Sequence, residues 1–294
     1  MTMDGGAQEA RARFRALPRK AVFPEVRAED RVIEGVPVRV YWPADVEAGA
    51  ALVIFIHGGG WVVGDLDTYD GTARLHAAAT GAVVVSIDYR LAPEHPFPAA
   101  VDDVWAVTQW VGTHAAELGA DPNRIAVAGD SAGGNLSAVV TQLARDAGGP
   151  ALRAQLLWYP ATTWDTSLPS FSENADAPVL NRASVGGFSL LYAAGVDLSD
   201  APATLIPARA ASMAGLPPAY IAVAGYDPLR DDGITYGELL TAAGVSNEVH
   251  NAQTLVHGYL GYAGVVPAAT EATDRALAWL RAALVAQGER GDEA

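Results

Sequence analysis

The sequence predicts an α/β protein built on a mostly parallel sheet, on three observations. Short β-rich apolar runs alternate with longer stretches of helical periodicity. Several of those runs are apolar throughout, the pattern of strands covered by helices on both faces. The chain, at 294 residues, is also long enough to bury one large core without a metal or disulfide staple.

In chain order, residues 1–30 read as a polar, Arg-rich helical stretch preceding any strand. Strands follow at 36–41 and 51–56, then a helix at 72–79, a strand at 82–88 and a helix at 99–113. The strand at 125–129 runs directly into a helix at 132–147, and another strand follows at 155–159. Residues 161–215 separate two strands by far more than one crossover helix needs, and contain Pro169, Pro178, Pro202 and Pro207. Structureless connections beyond ~12–15 residues are uncommon, so this insertion is expected to be a lid or binding element with helices of its own. Strands at 220–224 and 245–250 flank a helix at 232–243. A helix at 270–286 and an acidic tail at 289–293, expected to fray, close the chain.

Composition excludes several classes. With no Cys there is no disulfide, zinc-thiolate site, iron–sulfur ligation or Cys nucleophile. A net charge of −15 repels phosphate backbones and anionic lipid, which argues against nucleic-acid and membrane partners. The first twenty residues lack an apolar run after a basic start, and no apolar run approaches the ~20 residues of a membrane helix. The expectation is a soluble cytoplasmic protein.

The chemistry concentrates at Gly129-Asp130-Ser131-Ala132-Gly133-Gly134, where a buried strand meets a helix through G-x-S-x-G. Such a sharp turn holds a serine hydroxyl clear of the sheet at a helix N-terminus, and small neighbours relieve the crowding. The bare pattern is expected by chance roughly 0.1 times in a chain of this composition, so the strand before it and the helix after it carry the discrimination. An ordinary N-cap serine is the competing reading.

His57-Gly58-Gly59-Gly60-Trp61 follows an early strand. Consecutive glycines let backbone N–H groups face a cavity, which acyl transfer requires where charge develops on a carbonyl oxygen. Neither phosphate-loop pattern is present. Gly58, Gly59 and Ala132 are the expected donors, Ala132 because it follows the nucleophile. His57 reads as a brace for this loop.

A serine nucleophile needs a base, and the base an orienting carboxylate. Among six histidines, His76 and His114 fall on helical patterns, His95 in a turn, and His250 within the last strand. His257 follows that strand in a loop and is the expected base. Asp227, just past the strand at 220–224 and kept out of helical geometry by Pro228, is the expected acid. Asp231 and Asp232 read instead as first-turn charges of the next helix. The order Ser131, Asp227, His257 differs from those of the chymotrypsin and subtilisin folds.

With these residues in hand, the chain resembles the hormone-sensitive-lipase family of esterases (bacterial family IV). The likeness rests on 57–61, on Asp88-Tyr-Arg-Leu-Ala-Pro-Glu-His-Pro-Phe-Pro98, 129–134, Leu216-Pro-Pro218, Asp227-Pro-Leu-Arg-Asp-Asp-Gly233 and His257-Gly258-Tyr259, spread in the family's order over about residues 50–262. The resemblance implies an α/β-hydrolase fold of about eight strands, one domain over 1–294 with a helical cap contributed by about 1–30 and 161–215. It also implies hydrolysis of short- to medium-chain carboxylic esters without cofactor or metal. Three departures stand out: Gly225 where the family usually has an acidic residue, Gln253-Thr254 where it usually has Glu-Gly, and Tyr259 for the commoner Phe.

Trp61, Tyr69, Trp164, Phe188, Tyr192 and Tyr259 are the expected pocket walls, Phe188 and Tyr192 sharing one helix face. The expected partner is a small-molecule ester, with the last strand a candidate edge for pairing to a second copy, as in dimers resembling this family. Arylformamide or amide hydrolysis and acyl transfer are the enzymatic alternatives on the same three residues. A ligand-binding receptor is the non-enzymatic one, disfavoured because His257 is in place.

Overall fold

The sheet has eight strands in the order β1-β2-β4-β3-β5-β6-β7-β8. They are β1 (Arg27–Ile33), β2 (Val36–Trp42), β3 (Ala50–Ile56), β4 (Val83–Ile87), β5 (Ala120–Asp130), β6 (Leu152–Trp158), β7 (Ala219–Tyr226) and β8 (Asn247–Val256). β1, β2 and β4 pair antiparallel, and every later pairing is parallel. The computed structural model describes residues 5–19 and 22–285. The predicted tail at 289–293 lies outside them, as do Lys20 and the first four residues of the predicted N-terminal segment.

The central strands are apolar throughout because both faces are covered. Along β3, Leu52, Ile54 and Ile56 enter one core and Val53 and Phe55 the other, the two-residue alternation of a strand. The first face receives α3 (Ala99–His114) and α4 (Ala132–Asp146), and α7 (Arg230–Ala242) covers its β7 side. The opposite face receives α2 (Asp70–Thr80) and α8 (Pro267–Val285). Each Leu, Ile or Phe fully withdrawn from water contributes about 2 kcal/mol. Among the described residues no helix is long and apolar enough to cross a membrane.

The insertion after β6 carries α5 (Pro169–Glu173), α6 (Arg182–Tyr192) and two short 3-10 turns, so the long connection has helices of its own. At the N-terminus the helical stretch is shorter than its sequence suggests. α1 occupies Gly6–Ala16, and residues 27–30 lie in β1, an edge strand of the sheet. The last strand is longer than predicted: β8 forms the other edge and extends to Val256, so His257 leaves the strand directly. In such a sheet the C-terminal strand ends form the crevice for ligands. The ends of β3, β5, β7 and β8 lead into the glycine run, Ser131, Asp227 and His257.

Candidate active site

β5 ends at Asp130, and α4 begins at Ala132 with Ser131 at its N-cap. Ser131 has φ 55° and ψ −114°, a sparsely populated conformation that costs on the order of 1–3 kcal/mol and persists only where its surroundings impose it. Its N–H donates to Trp158 O (2.8 Å), and its carbonyl accepts from Asn135 N–H (3.0 Å). At Gly133 a Cβ would run into the backbone carbonyl of Ile56, so only glycine lets α4 start this close to β3.

The three residues far apart in sequence meet here. His257 Nε2 lies 2.9 Å from Ser131 Oγ, and His257 Nδ1 lies 2.7 Å from Asp227 Oδ2. Asp227 is fully buried, and its other oxygen accepts Leu229 N–H at 2.8 Å. With a carboxylate on Nδ1, that nitrogen carries the proton and Nε2 offers its lone pair to the serine hydroxyl. The Tyr159 ring packs 4.7 Å from the imidazole. His250 sits half-buried on β8, away from this cluster.

The glycine loop differs in one respect from its sequence reading. Gly58 N–H donates to Asp130 Oδ1 at 2.7 Å, so this peptide is engaged by a buried carboxylate and is not free to meet an oxyanion. The next two peptides are turned the other way. The Gly58 carbonyl is held by His57 Nδ1 (2.7 Å), and the Gly59 carbonyl accepts Val62 and Val63 N–H (3.1 and 3.0 Å). In a trans peptide the carbonyl and the following N–H point oppositely, so these anchors aim Gly59 and Gly60 N–H away from themselves. Gly59, Gly60 and Ala132 line the cavity, and among the described residues none of their N–H groups has a hydrogen-bond partner. The available donors are therefore Gly59, Gly60 and Ala132, with Gly60 in the place expected for Gly58.

His57 is the brace its position suggested. It is wholly buried, stacks on Tyr89 at 4.3 Å and accepts Tyr89 O–H at its carbonyl (2.9 Å). Loss of hydration pushes its pKa down to about 4, so it stays neutral.

A cavity of about 560 Å³ opens over Ser131. Of the six aromatic residues named from the sequence, Trp61, Tyr69, Trp164 and Phe188 line it. Tyr192 and Tyr259 do not. Tyr192 lies behind the wall, stacked on Trp61 at 4.4 Å, and Tyr259 packs edge-on against Tyr159 at 5.4 Å. Wall residues the sequence did not point to are Phe14 from α1 and Leu180 and Val185 from the insertion. Val185 stands three residues before Phe188, so helical spacing could have found it; Phe14 is flanked by arginines that hid it. No Arg or Lys lies on the wall among the described residues. The start of the insertion is tied down by Asp232, whose Oδ1 accepts the N–H groups of Thr162 and Thr163 at 3.0 and 2.8 Å. Burial pushes this carboxyl up to about 6.

Comparison with known proteins agrees with this geometry. Residues 53–261 match the model of a family described as having the alpha/beta hydrolase fold. The chain is 60% identical over 290 residues to Esterase LipI of Mycobacterium tuberculosis, covering 97% of this chain and 91% of that one. It is 57% identical over 292 residues to Carboxylesterase NlhH of the same organism, covering 96% and 91%. Among solved structures, DphMB1 superposes with a TM-score of 0.94 at 76% identity, covering 96% of this chain and 93% of that one. A thermostable esterase from Pseudomonas putida superposes with a TM-score of 0.91 at 35% identity, covering 96% and 91%. The chain belongs to the α/β-hydrolase family, in its hormone-sensitive-lipase-type carboxylesterase branch.

Proposed function

We propose that the protein is a serine carboxylesterase that hydrolyses uncharged short- to medium-chain carboxylic esters through an acyl-enzyme on Ser131. The supporting observation is the relay itself: a serine hydroxyl 2.9 Å from an imidazole whose far nitrogen is 2.7 Å from a buried carboxylate. Ser131 Oγ attacks the ester carbonyl while its proton passes to His257 Nε2, and Asp227 stabilises the imidazolium. The carbonyl oxygen, now negative, accepts N–H bonds from Gly59, Gly60 and Ala132. The C–O bond breaks as His257 returns the proton to the departing alcohol. Water then attacks the acyl-enzyme with His257 as base, releasing the carboxylic acid and restoring Ser131.

The names of the similar esterases support the ester bond as the target. A mainly apolar wall without Arg or Lys favours neutral acyl groups over carboxylate-bearing ones. The proposal includes a cytoplasmic setting and pairing of a second copy through the β8 edge, which cell fractionation and light scattering address.

The test is a panel of nitrophenyl esters graded in acyl length, run beside Ser131→Ala. Turnover should fall by about 10⁶ in the variant, because nucleophile and base act as a unit. Ordinary turnover by Ser131→Ala overturns the proposal. Matched anilides distinguish an amidase, which would cleave them at comparable rates.

A further inference from the structure

The three candidate oxyanion donors come from two separate pieces of chain, Gly59 and Gly60 after β3 and Ala132 at the start of α4. They serve one oxygen atom only if the two pieces keep their separation to within about 0.5 Å. One side chain bridges them. Asp130 precedes Ser131 and Ala132 on one piece, and its Oδ1 accepts the N–H of Gly58, the residue before Gly59 on the other, at 2.7 Å. Its second oxygen accepts Tyr69 O–H at 3.2 Å, on the cavity wall.

This is an expensive residue for a plain structural role. Asp130 is 6% exposed, and among the described residues no cationic side chain forms a salt bridge with it. Burial raises its pKa to about 6, with the Gly58 N–H, the charge interaction with His257 and the Tyr69 hydroxyl opposing that rise. The contact is also tight: a Cβ on Gly58 would collide with both the side chain and the backbone carbonyl of Asp130. Without Asp130, the buried Gly58 N–H would lose its partner, and the peptide between 57 and 58 could rotate to recover one. That rotation carries Gly59 with it.

We propose that Asp130 is a positioning residue for the oxyanion hole, its carboxylate tying the loop that bears Gly59 and Gly60 to the turn that bears Ser131 and Ala132. The proposal rests on the esterase reading of the site. Asp130 borders the cavity, but both its oxygens are committed to Gly58 N–H and Tyr69 O–H; it moves no proton and fixes where two donors stand relative to the third. Its loss should therefore raise the barrier for forming the tetrahedral intermediate and leave ground-state binding in the apolar cavity nearly unchanged.

The experiment compares wild type, Asp130→Ala, Asp130→Asn and Ser131→Ala on a nitrophenyl ester. It also measures inhibition by a trifluoromethyl ketone, whose hemiketal mimics the tetrahedral oxyanion. Asp130→Ala is expected to lose about 10²-fold in kcat, comparable to removing one oxyanion donor, with KM within about threefold of wild type. Affinity for the ketone should fall by the same factor as kcat/KM. Asp130→Asn keeps an oxygen for Gly58 N–H, and should recover to within about tenfold of wild type. If Asp130→Ala does not fold, Asp130→Ser carries the comparison, since its hydroxyl is too short to reach Gly58.

The proposal is overturned by any of three results: a kcat within about threefold of wild type in the truncated variant, unchanged ketone affinity beside a reduced kcat, or an Asn variant as impaired as the Ala one. Esterase activity surviving in Ser131→Ala would sink the functional reading instead, whatever Asp130 does.

Discussion

Asp227 holds the His257 imidazole at 2.7 Å through one carboxylate oxygen while the other is occupied by Leu229 N–H at 2.8 Å. With both oxygens committed, the carboxylate cannot swing, and the imidazole plane is set by the β7–α7 turn. Asn174, in the insertion after β6, donates to the Asp227 carbonyl at 3.2 Å and so helps to fix that turn.

Asp227→Asn tests this directly. The amide preserves shape, but turning its nitrogen toward Nδ1 favours the imidazole tautomer that cannot take the serine proton. Turnover should fall by about 10⁴ with the fold intact. A loss below tenfold, with circular dichroism unchanged, contradicts the relay.

The N-terminal helix is fastened over the cavity by an arginine. Arg11 donates to both carboxylate oxygens of Glu94 (2.8 and 2.6 Å), and also to Val62 O (2.7 Å) and Ala92 O (2.8 Å). Arg15 pairs with Asp65 at 2.8 Å but is 64% exposed, so it adds little. Phe14, between them, packs 6.0 Å from Tyr69 and lines the cavity. Arg11→Ala should free α1 locally, and charge-assisted bonds of about 1.5–3 kcal/mol predict at least tenfold faster tryptic cleavage at Arg13 or Arg15. KM for apolar esters should rise as the Phe14 wall is lost, with kcat nearly unchanged. Unaltered cleavage and KM would show that α1 is held by packing alone.

What the sequence withheld has physical causes. The alternating pattern located the strands that bury both faces. It missed β1, where Arg27, Glu29, Asp30 and Arg31 crowd an edge strand whose outer face needs no apolar residues. The end of β8 escaped for the same reason, Gln253 and Thr254 being exposed on the other edge. Local spacing singled out Ser131, Asp227 and His257, which the fold brings within hydrogen-bond reach, because each follows a strand end. It could not say which glycine peptides face the cavity, since glycine permits either direction; the carboxylate of Asp130, distant in sequence, decides that. Two departures from the family pattern are one local feature. The β7–β8 register shifts between Ala224 and Tyr226, leaving Gly225 against the Gln253 carbonyl with no room for a Cβ.

Stability should carry a signature of the buried histidines. His76 accepts Trp158 Nε1–H at 3.3 Å and meets Thr72 O at 2.8 Å; burial pushes its pKa down to about 4. Between about pH 4 and its unfolded value near 6.5, the unfolded chain holds more protons, so this contribution is complete above 6.5 and fades toward 4. Asp88, Asp130 and Asp232, each raised to about 6 chiefly by burial, act oppositely: their contribution is complete below about 4 and is lost as pH rises through 6. In His76→Gln, the melting temperature should lie below wild type at pH 7.5, with the gap closing by about 5 °C at pH 5, on the order of 2 kcal/mol. A gap constant with pH would mean that His76 is not held neutral.

Phe188 governs the size of the cavity next to the reacting carbonyl. Its ring lies against Gly60, where a Cβ would strike it, and the side chain is 6% exposed. Truncation has two conceivable effects: widening the cavity, or releasing the oxyanion loop. The second is opposed by contacts that do not involve the cap, because the Gly59 carbonyl keeps its bonds from Val62 and Val63, and Gly58 keeps those to Asp130 and His57. Phe188→Ala should therefore act on specificity. The kcat/KM ratio of an octanoate to a butyrate nitrophenyl ester should rise about tenfold, while kcat on the acetate stays within about threefold. An unchanged ratio would place the acyl chain elsewhere in the cavity. A collapse of kcat on acetate would instead mean that the cap itself holds Gly60 in position, and that loop and lid work as one unit.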